Sequence, residues 1–361
     1  MPATISAIST AVPDYLAQQS QLAEFMINRL TKDEEVARQI RILYRASGIR
    51  QRYSVLDDFV QDRTDRFNKE HDFPTIRDRM KIYESCAAPL AKKALSGLSA
   101  CIPLNTLTHL IVVSCTGMYA PGLEIDLIEE LGLPTTIERT AIHFMGCYAA
   151  FNGIKAAKHI VDSDQNAKVA VVCVELCSIH LQKDTTEDGL LSNALFGDGA
   201  AAALITNGGQ TANELVITSQ FSDLALAGKK EMSWHIGDFG FEMKLSPKVP
   251  DVIAQGINEL TDRLLKKVSM TPDQIAYYAI HPGGKRILEV IQQAMNLKKE
   301  DLSYSQEVLR SHGNMSSPTV LFVLKSLMDR FTDNDHGKHV LSFAFGPGLT
   351  LESLLLQVHG N

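Results

Sequence analysis

Two kinds of run alternate along the chain. Residues 107–114, 168–175, 200–206, 214–220, 276–281, 338–345 and 350–357 are short and rich in β-branched or apolar side chains. Several are apolar almost throughout, the pattern of strands covered on both faces. Between them, residues 34–46, 82–96, 123–131, 148–161, 252–268 and 318–331 repeat apolar positions every three or four residues, as amphipathic helices do. Strand-like and helix-like runs in alternation predict an α/β layered fold.

The two halves of the pattern echo each other. A strand at 109–114 leads into a glycine-containing turn and a helix. A strand at 277–281 leads into Pro282-Gly283-Gly284 and a helix from Lys285. This weak symmetry predicts a duplicated α/β unit, split near residues 207–213, with one half at 1–210 and the other at 211–361. No long linker separates them, so a shared interface with a site between the halves is expected.

Composition narrows the function. With 361 residues, 45% of them hydrophobic, the chain can bury a large core. A net charge of −7 argues against a nucleic-acid partner, which usually meets a basic face. Residues 1–12 lack the basic start and long apolar run of a signal peptide, and no apolar stretch is long enough to span a membrane. The six cysteines (Cys86, Cys101, Cys115, Cys147, Cys173 and Cys177) include no CxxC pair. The expectation is a cytoplasmic protein with reduced thiols and no metal site.

Three residues stand out chemically. Cys147 follows Gly146 where an irregular stretch, 141–145, meets the helix-like run 148–161. A thiol at a helix start faces free N–H groups and the positive end of the dipole, which favours the nucleophilic thiolate; its bland alternative is a small core residue. His281 ends an apolar strand before a Pro-Gly-Gly turn, in place for proton transfer or for hydrogen bonding to a carbonyl, or merely satisfied by the turn. Asn314 lies in Gly313-Asn314-Met315-Ser316-Ser317-Pro318. Serine as cap and proline in the first turn read as a helix start there. The asparagine is then either turn chemistry or an amide donor aimed at a developing oxyanion.

Five segments, in order, carry a family resemblance: Met145-Gly146-Cys147, the run from Ala194 to Ala201 (ALFGDGAA), Ile280-His281-Pro282-Gly283-Gly284, Gly313-Asn314-Met315-Ser316-Ser317, and Phe345-Gly346-Pro347-Gly348-Leu349-Thr350. Over residues 4–357 the chain resembles the type III polyketide synthases, which include the chalcone synthases. The resemblance implies a thiolase fold: two related α/β halves in a five-layered α-β-α-β-α core, assembled as a homodimer. It implies CoA thioesters as substrates, an acyl-CoA starter and malonyl-CoA, with no cofactor. Cys147 would take the acyl group, and His281 and Asn314 would hold the malonyl thioester carbonyl while the enolate forms. His281 would also help hold Cys147 as thiolate in a Cys–His pair.

Further positions follow from the same resemblance. Phe196 matches an aromatic residue between the CoA tunnel and the cavity, and the second gate position falls on Met243 or else Phe241. Cys177 and His180 fall where plant relatives carry cavity-shaping threonines, and Ala120 falls near a position that crosses the dimer interface. The Gly346-Pro347-Gly348 loop would form one cavity wall. Arg38, Arg41 and Arg45, at i, i+3 and i+7 on one helix face, match residues that meet CoA phosphates; Ser316 joins them as a CoA contact. A ketoacyl synthase III working on carrier protein, a Cys–His hydrolase and a non-catalytic protein of the same fold remain as alternatives.

Overall fold

The computed structural model describes residues 2–61 and 74–360. Its strands are β1 Thr4–Ala11, β2 Tyr15–Gln18, β3 Gln51–Ser54, β4 His109–Ser114, β5 Glu138–His143, β6 Val169–Leu176, β7 Asp198–Thr206, β8 Asn213–Leu224, β9 Met232–Gly237, β10 Gly240–Leu245, β11 Ile275–Ile280, β12 His339–Gly346 and β13 Thr350–Gly360. The helices are α1 Gln19–Leu30, α2 Glu34–Ala46, α3 Asp58–Gln61, α4 Ile76–Ser96, α5 Leu123–Leu131, α6 Ala149–Ser163, α7 Glu187–Leu195, α8 Val249–Lys266, α9 Lys285–Ala294, α10 Ser303–His312 and α11 Thr319–Met328. Among the described residues, nine strands join in one mixed sheet, ordered β11-β12-β13-β8-β1-β7-β6-β4-β5. An antiparallel pair, β2/β3, and a hairpin, β9/β10, stand apart from it.

Strand alternation builds the layers. In β4, β6 and β7 the side chains of Leu110, Val112, Ala170, Val172, Ala202 and Leu204 face one core with α4 and α5. Their neighbours Ile111, Val113, Val171, Cys173, Ala201 and Ala203 face a second core with α6 and α11. That second core also takes Ala279, Val340, Ala344, Leu354 and Leu356 from β11, β12 and β13. The opposite faces of the same strands, with Ile280, Leu341, Phe343 and Leu355, meet α8 and α9 in a third core. The period of two along each strand thus separates α, β, α, β and α layers.

The two central helices differ: α11 is apolar nearly all round, whereas α6 is amphipathic, with Lys155 and Lys158 away from its buried face. α11 buries Thr319 through Leu324, then Leu327 and Met328. α6 presents small residues, Ala149, Ala150, Gly153 and Ala157, to the sheet. The alanine run of β7 is buried at every position and leaves room for helices on both faces. α4 begins with a capping box, Thr75 accepting from the Asp78 amide and Asp78 from that of Thr75.

Several sequence expectations shift. β1, β2, β3, β5, β9 and β10, and helices α1, α3, α7 and α10, were not legible as runs. β5 extends through His143, so the irregular stretch before Cys147 is 144–146 rather than 141–145; as a largely exposed edge strand it lacks the apolar run that marks its neighbours. The helix before Met328 starts at Thr319, and neither serine caps it: Ser317 Oγ donates to Glu175, and Thr319 Oγ1 instead accepts from the Met315 amide.

Gly153 marks how tightly α6 lies on the sheet. A Cβ there would sit 2.6 Å from Val171 Cγ1 and 3.2 Å from Val113 Cγ2. Alanine gains up to ~1 kcal/mol of helix propensity, yet overpacking against two stiff valines costs ~1–3 kcal/mol. Gly153→Ala is therefore expected to lower the thermal unfolding midpoint; an unchanged or higher midpoint would show that α6 can lift off the sheet.

Candidate active site

Three connections bring the chemistry together. Cys147 lies between β5 and α6, His281 directly after β11, and Asn314 between α10 and α11. All three side chains line one cavity of about 570 Å³. They are nearly closed off from solvent, at 7%, 1% and 2% exposure respectively. The Cys147 sulfur lies 3.9 Å from both amide atoms of Asn314.

Asn314 is oriented by its backbone surroundings. Its Oδ1 accepts from the Ser316 amide at 2.8 Å, and its Nδ2 donates to the Gly283 carbonyl at 3.2 Å. The Ser316 N–H needs an acceptor, which fixes which end of the amide is oxygen. Phe196 is tied to the same segment: the Gly197 amide donates to Asn314 O at 2.9 Å, and the Asn314 amide to Leu195 O at 3.0 Å. The left-handed Gly313 (φ 70°) makes this approach possible, since a Cβ there would lie 2.9 Å from the Leu195 carbonyl oxygen.

A second close approach sets the cysteine. Gly146 has φ 80°, and a Cβ on it would fall 2.3 Å from Pro347 Cδ. A Cβ on Gly346 would meet the Tyr148 ring at 2.6 Å and Cys147 N at 3.3 Å. Two glycines without side chains let the 345–349 loop press onto the Cys147 turn. Pro347 reaches the cavity, whereas Gly346 supports it from behind and Gly348 lies outside the lining.

Burial dominates the electrostatics. Desolvation pushes the Cys147 thiol from its ordinary 9 up to about 11, opposed by hydrogen bonds from Ser316 and Asn314 and reinforced by the charge of Glu175. Desolvation likewise holds His281 down at about 3, and among the described residues neither of its ring nitrogens has a hydrogen-bond partner. Desolvation thus works against the expected Cys–His ion pair, because an apolar enclosure penalises each charged form. α6 starts at Ala149, and its N-terminus does not offset that penalty.

Glu175, in β6, escaped the sequence reading. Its fully buried carboxylate accepts from Cys115 N (3.0 Å), Thr116 Oγ1 (2.8 Å) and Ser317 Oγ (2.6 Å). An acid inside the apolar run VAVVCVEL was the available signal. Arg52 was also missed. Its buried guanidinium donates to the Asn193 and Phe196 carbonyls and to Gln19, bracing the Phe196 segment. In the motif around Phe196, Asp198 accepts from Ser178 and from the Val55 amide, so it holds the scaffold.

The remaining expected residues divide. Phe196, Met243, Phe241, Cys177 and His180 line the cavity with the three above. Ala120 is exposed and outside it, because the inward residues of that loop are Cys115 and Thr116, held by Glu175. Ser316 is buried and lines the same cavity, with its hydroxyl 3.3 Å from the Cys115 sulfur. Arg38, Arg41 and Arg45 share an exposed face of α2, but the Arg41 fork is occupied by Glu24 at 2.8 and 3.0 Å. The arrangement offers a buried thiol, an imidazole with unpaired nitrogens and a fixed amide N–H₂ facing one enclosed space, a set able to accept an acyl group and to stabilise an oxyanion.

Comparison with known proteins assigns the family. A model of the chalcone and stilbene synthases, N-terminal domain, matches residues 1–209, and one of the C-terminal domain matches residues 214–359. The chain belongs to the chalcone and stilbene synthase family. It is 32% identical to the alpha-pyrone synthesis polyketide synthase-like Pks18 of Mycobacterium tuberculosis, over 99% of this chain and 91% of that protein; the Mycobacterium bovis counterpart matches equally. The fold superposes on PKS-I from the brown alga Ectocarpus siliculosus with TM-score 0.89 at 29% identity, covering 99% of this chain and 98% of the other. The C-terminal type III polyketide synthase domain of Steely1, a type I/III hybrid from Dictyostelium, gives 0.91 at 25% identity and 99% of both chains. The protein is a type III polyketide synthase of thiolase fold, and so an acyltransferase. The carrier-protein synthase, hydrolase and non-catalytic alternatives give way to it. No helix among the described residues is long and apolar enough to cross a membrane.

The raised thiol predicts a pH dependence. A pKa lifted from 9 to about 11 leaves less thiolate at any pH below that value. Alkylation of Cys147 by iodoacetamide, followed by peptide mass, is expected to accelerate steadily from pH 7 toward 11. A rate already level between pH 6 and 8 would reveal a paired thiolate instead.

Proposed function

We propose that Cys147 takes an acyl group from an acyl-CoA starter and extends it with malonyl-CoA, and that the product closes to a pyrone. Meeting of Cys147, His281 and Asn314 in one closed cavity is the observation that carries this reading. In loading, Sγ bonds to the starter carbonyl carbon as the C–S bond to CoA breaks. The thiol proton passes to His281 and then to the departing CoA sulfur. In extension, the malonyl C–CO₂ bond breaks and its electron pair forms a thioester enolate. The enolate carbon attacks the acyl–Cys147 carbonyl, leaving a chain two carbons longer on CoA and expelling Cys147 as a thiolate, which takes a proton from water to restore the thiol.

Neutral donors suit this chemistry. A neutral His281 N–H and the Asn314 N–H₂ can both hydrogen-bond the enolate oxygen where its charge develops. The enclosure disfavours a carboxylate and eases the departure of CO₂. Phe196 and Ile287 add apolar lining on that side.

The cavity supports an alkyl starter. Its lining includes Ala17, Leu22, Met26, Phe59 and Leu181, all buried and apolar. A pyrone follows when the enol oxygen of a triketide attacks its own thioester carbon and expels the thiol; the mycobacterial relative is named for alpha-pyrone synthesis. Arg38 and Arg45 are the candidates for CoA phosphates, and a homodimer acting in the cytoplasm completes the proposal.

Cys147→Ala is expected to abolish polyketide product, read by mass spectrometry. Asn314→Ala should slow CO₂ release by ~10²-fold, the scale of one lost oxyanion donor, with a much smaller effect on starter loading. Equal losses in both half-reactions would refute the oxyanion assignment. In a starter panel, linear alkyl-CoAs should give higher kcat/KM than planar aromatic ones; the reverse order would remove the alkyl-starter reading.

A further inference from the structure

The hairpin β9/β10 forms the cavity wall that carries Trp234, Phe241 and Met243, and it belongs to no large sheet. It is fastened to two consecutive carbonyls of the loop after β4. Trp234 Nε1–H donates to Cys115 O at 2.8 Å. The second tie runs through an imidazole: His180 Nε2 lies 2.6 Å from Thr116 O, and its Nδ1 lies 3.0 Å from the Phe241 amide. A carbonyl can only accept and an amide N–H can only donate, so Nε2 carries the proton and Nδ1 does not. Phe241 stacks on the same imidazole at 4.2 Å with planes 8° apart, and Trp234 meets it edge-on at 5.8 Å. Burial keeps the ring neutral, with its pKa at about 3.

We propose that His180 is a positioning residue that clamps the β9/β10 wall to the Cys115–Thr116 loop and thereby sets the width of the cavity opposite Cys147. Both ring nitrogens are consumed by backbone, so the imidazole serves no proton transfer. Its two hydrogen bonds and its stacked face hold a hairpin that Gln182 otherwise ties at its outer side, through the Phe239 and Phe241 carbonyls. Thr116 is itself held by Glu175, so the clamp links the wall to the buried carboxylate behind the nucleophile. Width at this wall decides which starters pack well. The inference rests on the polyketide synthase reading for its functional consequence alone.

Hydrogen exchange tests the clamp without any turnover. His180→Ala should raise exchange at the Phe241 amide by about tenfold, the scale of one lost hydrogen bond in a local opening. His180→Asn, whose Oδ1 overlays Nδ1, should restore part of that protection. In assays, His180→Ala should lower starter kcat/KM, mainly through KM, by more than it lowers CO₂ release from malonyl-CoA, and should reorder the starter panel. Unchanged exchange with an unchanged starter order would overturn the proposal, as would equal falls in loading and CO₂ release. Should His180→Ala not fold, His180→Phe keeps a ring for Phe241 to stack on while removing both hydrogen bonds, and must likewise raise exchange at the Phe241 amide and reorder the starter panel. A wild-type enzyme releasing no CO₂ would refute the polyketide reading, yet the exchange result would still judge the clamp.

Discussion

The site depends on a short parallel bridge between two segments far apart in the chain. The Leu195–Gly197 backbone exchanges hydrogen bonds with Asn314, each N–H answering the other's carbonyl side. Through it, Phe196 and Asn314 are positioned by one interaction rather than two. Arg52 braces the Phe196 side, and Ser316 N–H fixes the Asn314 amide. Gly313 matters because a side chain there would collide with Leu195 O and Arg52 together. Remove that approach and the amide donor, the aromatic lining and the guanidinium brace all lose their registration.

Desolvation, not charge pairing, sets the state of the nucleophile. A rise from 9 to about 11 at Cys147 corresponds to about 3 kcal/mol against the thiolate. A helix N-terminus offers ~0.3–1 kcal/mol, reaching ~2 kcal/mol only in favourable buried geometry. The start of α6 therefore loses to burial. Glu175 adds a negative charge behind the sulfur, in the same direction. Burial thus favours the neutral thiol and the neutral imidazole in the resting site. Such a site holds a low-dielectric pocket ready for charge that appears only on the substrate.

Much of this was legible in the chain, for identifiable reasons. Strands buried on both faces, such as 168–175, announce themselves because every position must be apolar. The catalytic candidates were legible because Gly146, Gly283 and Gly313 each mark backbone brought close to something else. Edge strand β5 and the β9/β10 hairpin were not, since half-exposed residues carry no apolar run. Arg52 and Glu175 were invisible for a different reason. A buried charge is justified only by partners contributed from other elements, here Gln19 and Asn193 for one and Cys115, Thr116 and Ser317 for the other. The cap reading of Ser316 failed on the same account: its turn looks like a helix start locally, yet its φ of 58° turns it inward toward two sulfurs.

The layering also explains why the reacting groups sit where they do. α6 and α11 form the middle layer: α11 is buried over most of its length, and α6 turns a face of small apolar residues to the sheet. The reacting groups lie in the connections that precede these helices, at Cys147 and at Asn314–Ser317. Those connections also bring the positive dipole ends of two helices beside the cavity, so an anion formed there is favoured without a charged side chain being buried. Each end contributes little by itself, but both helices begin beside the same cavity and their effects act on the same atoms. A fold with a buried central helix layer thus gathers two positive helix ends at one end of the core, and the enolate of a decarboxylating thioester is the kind of transient charge such an end can hold.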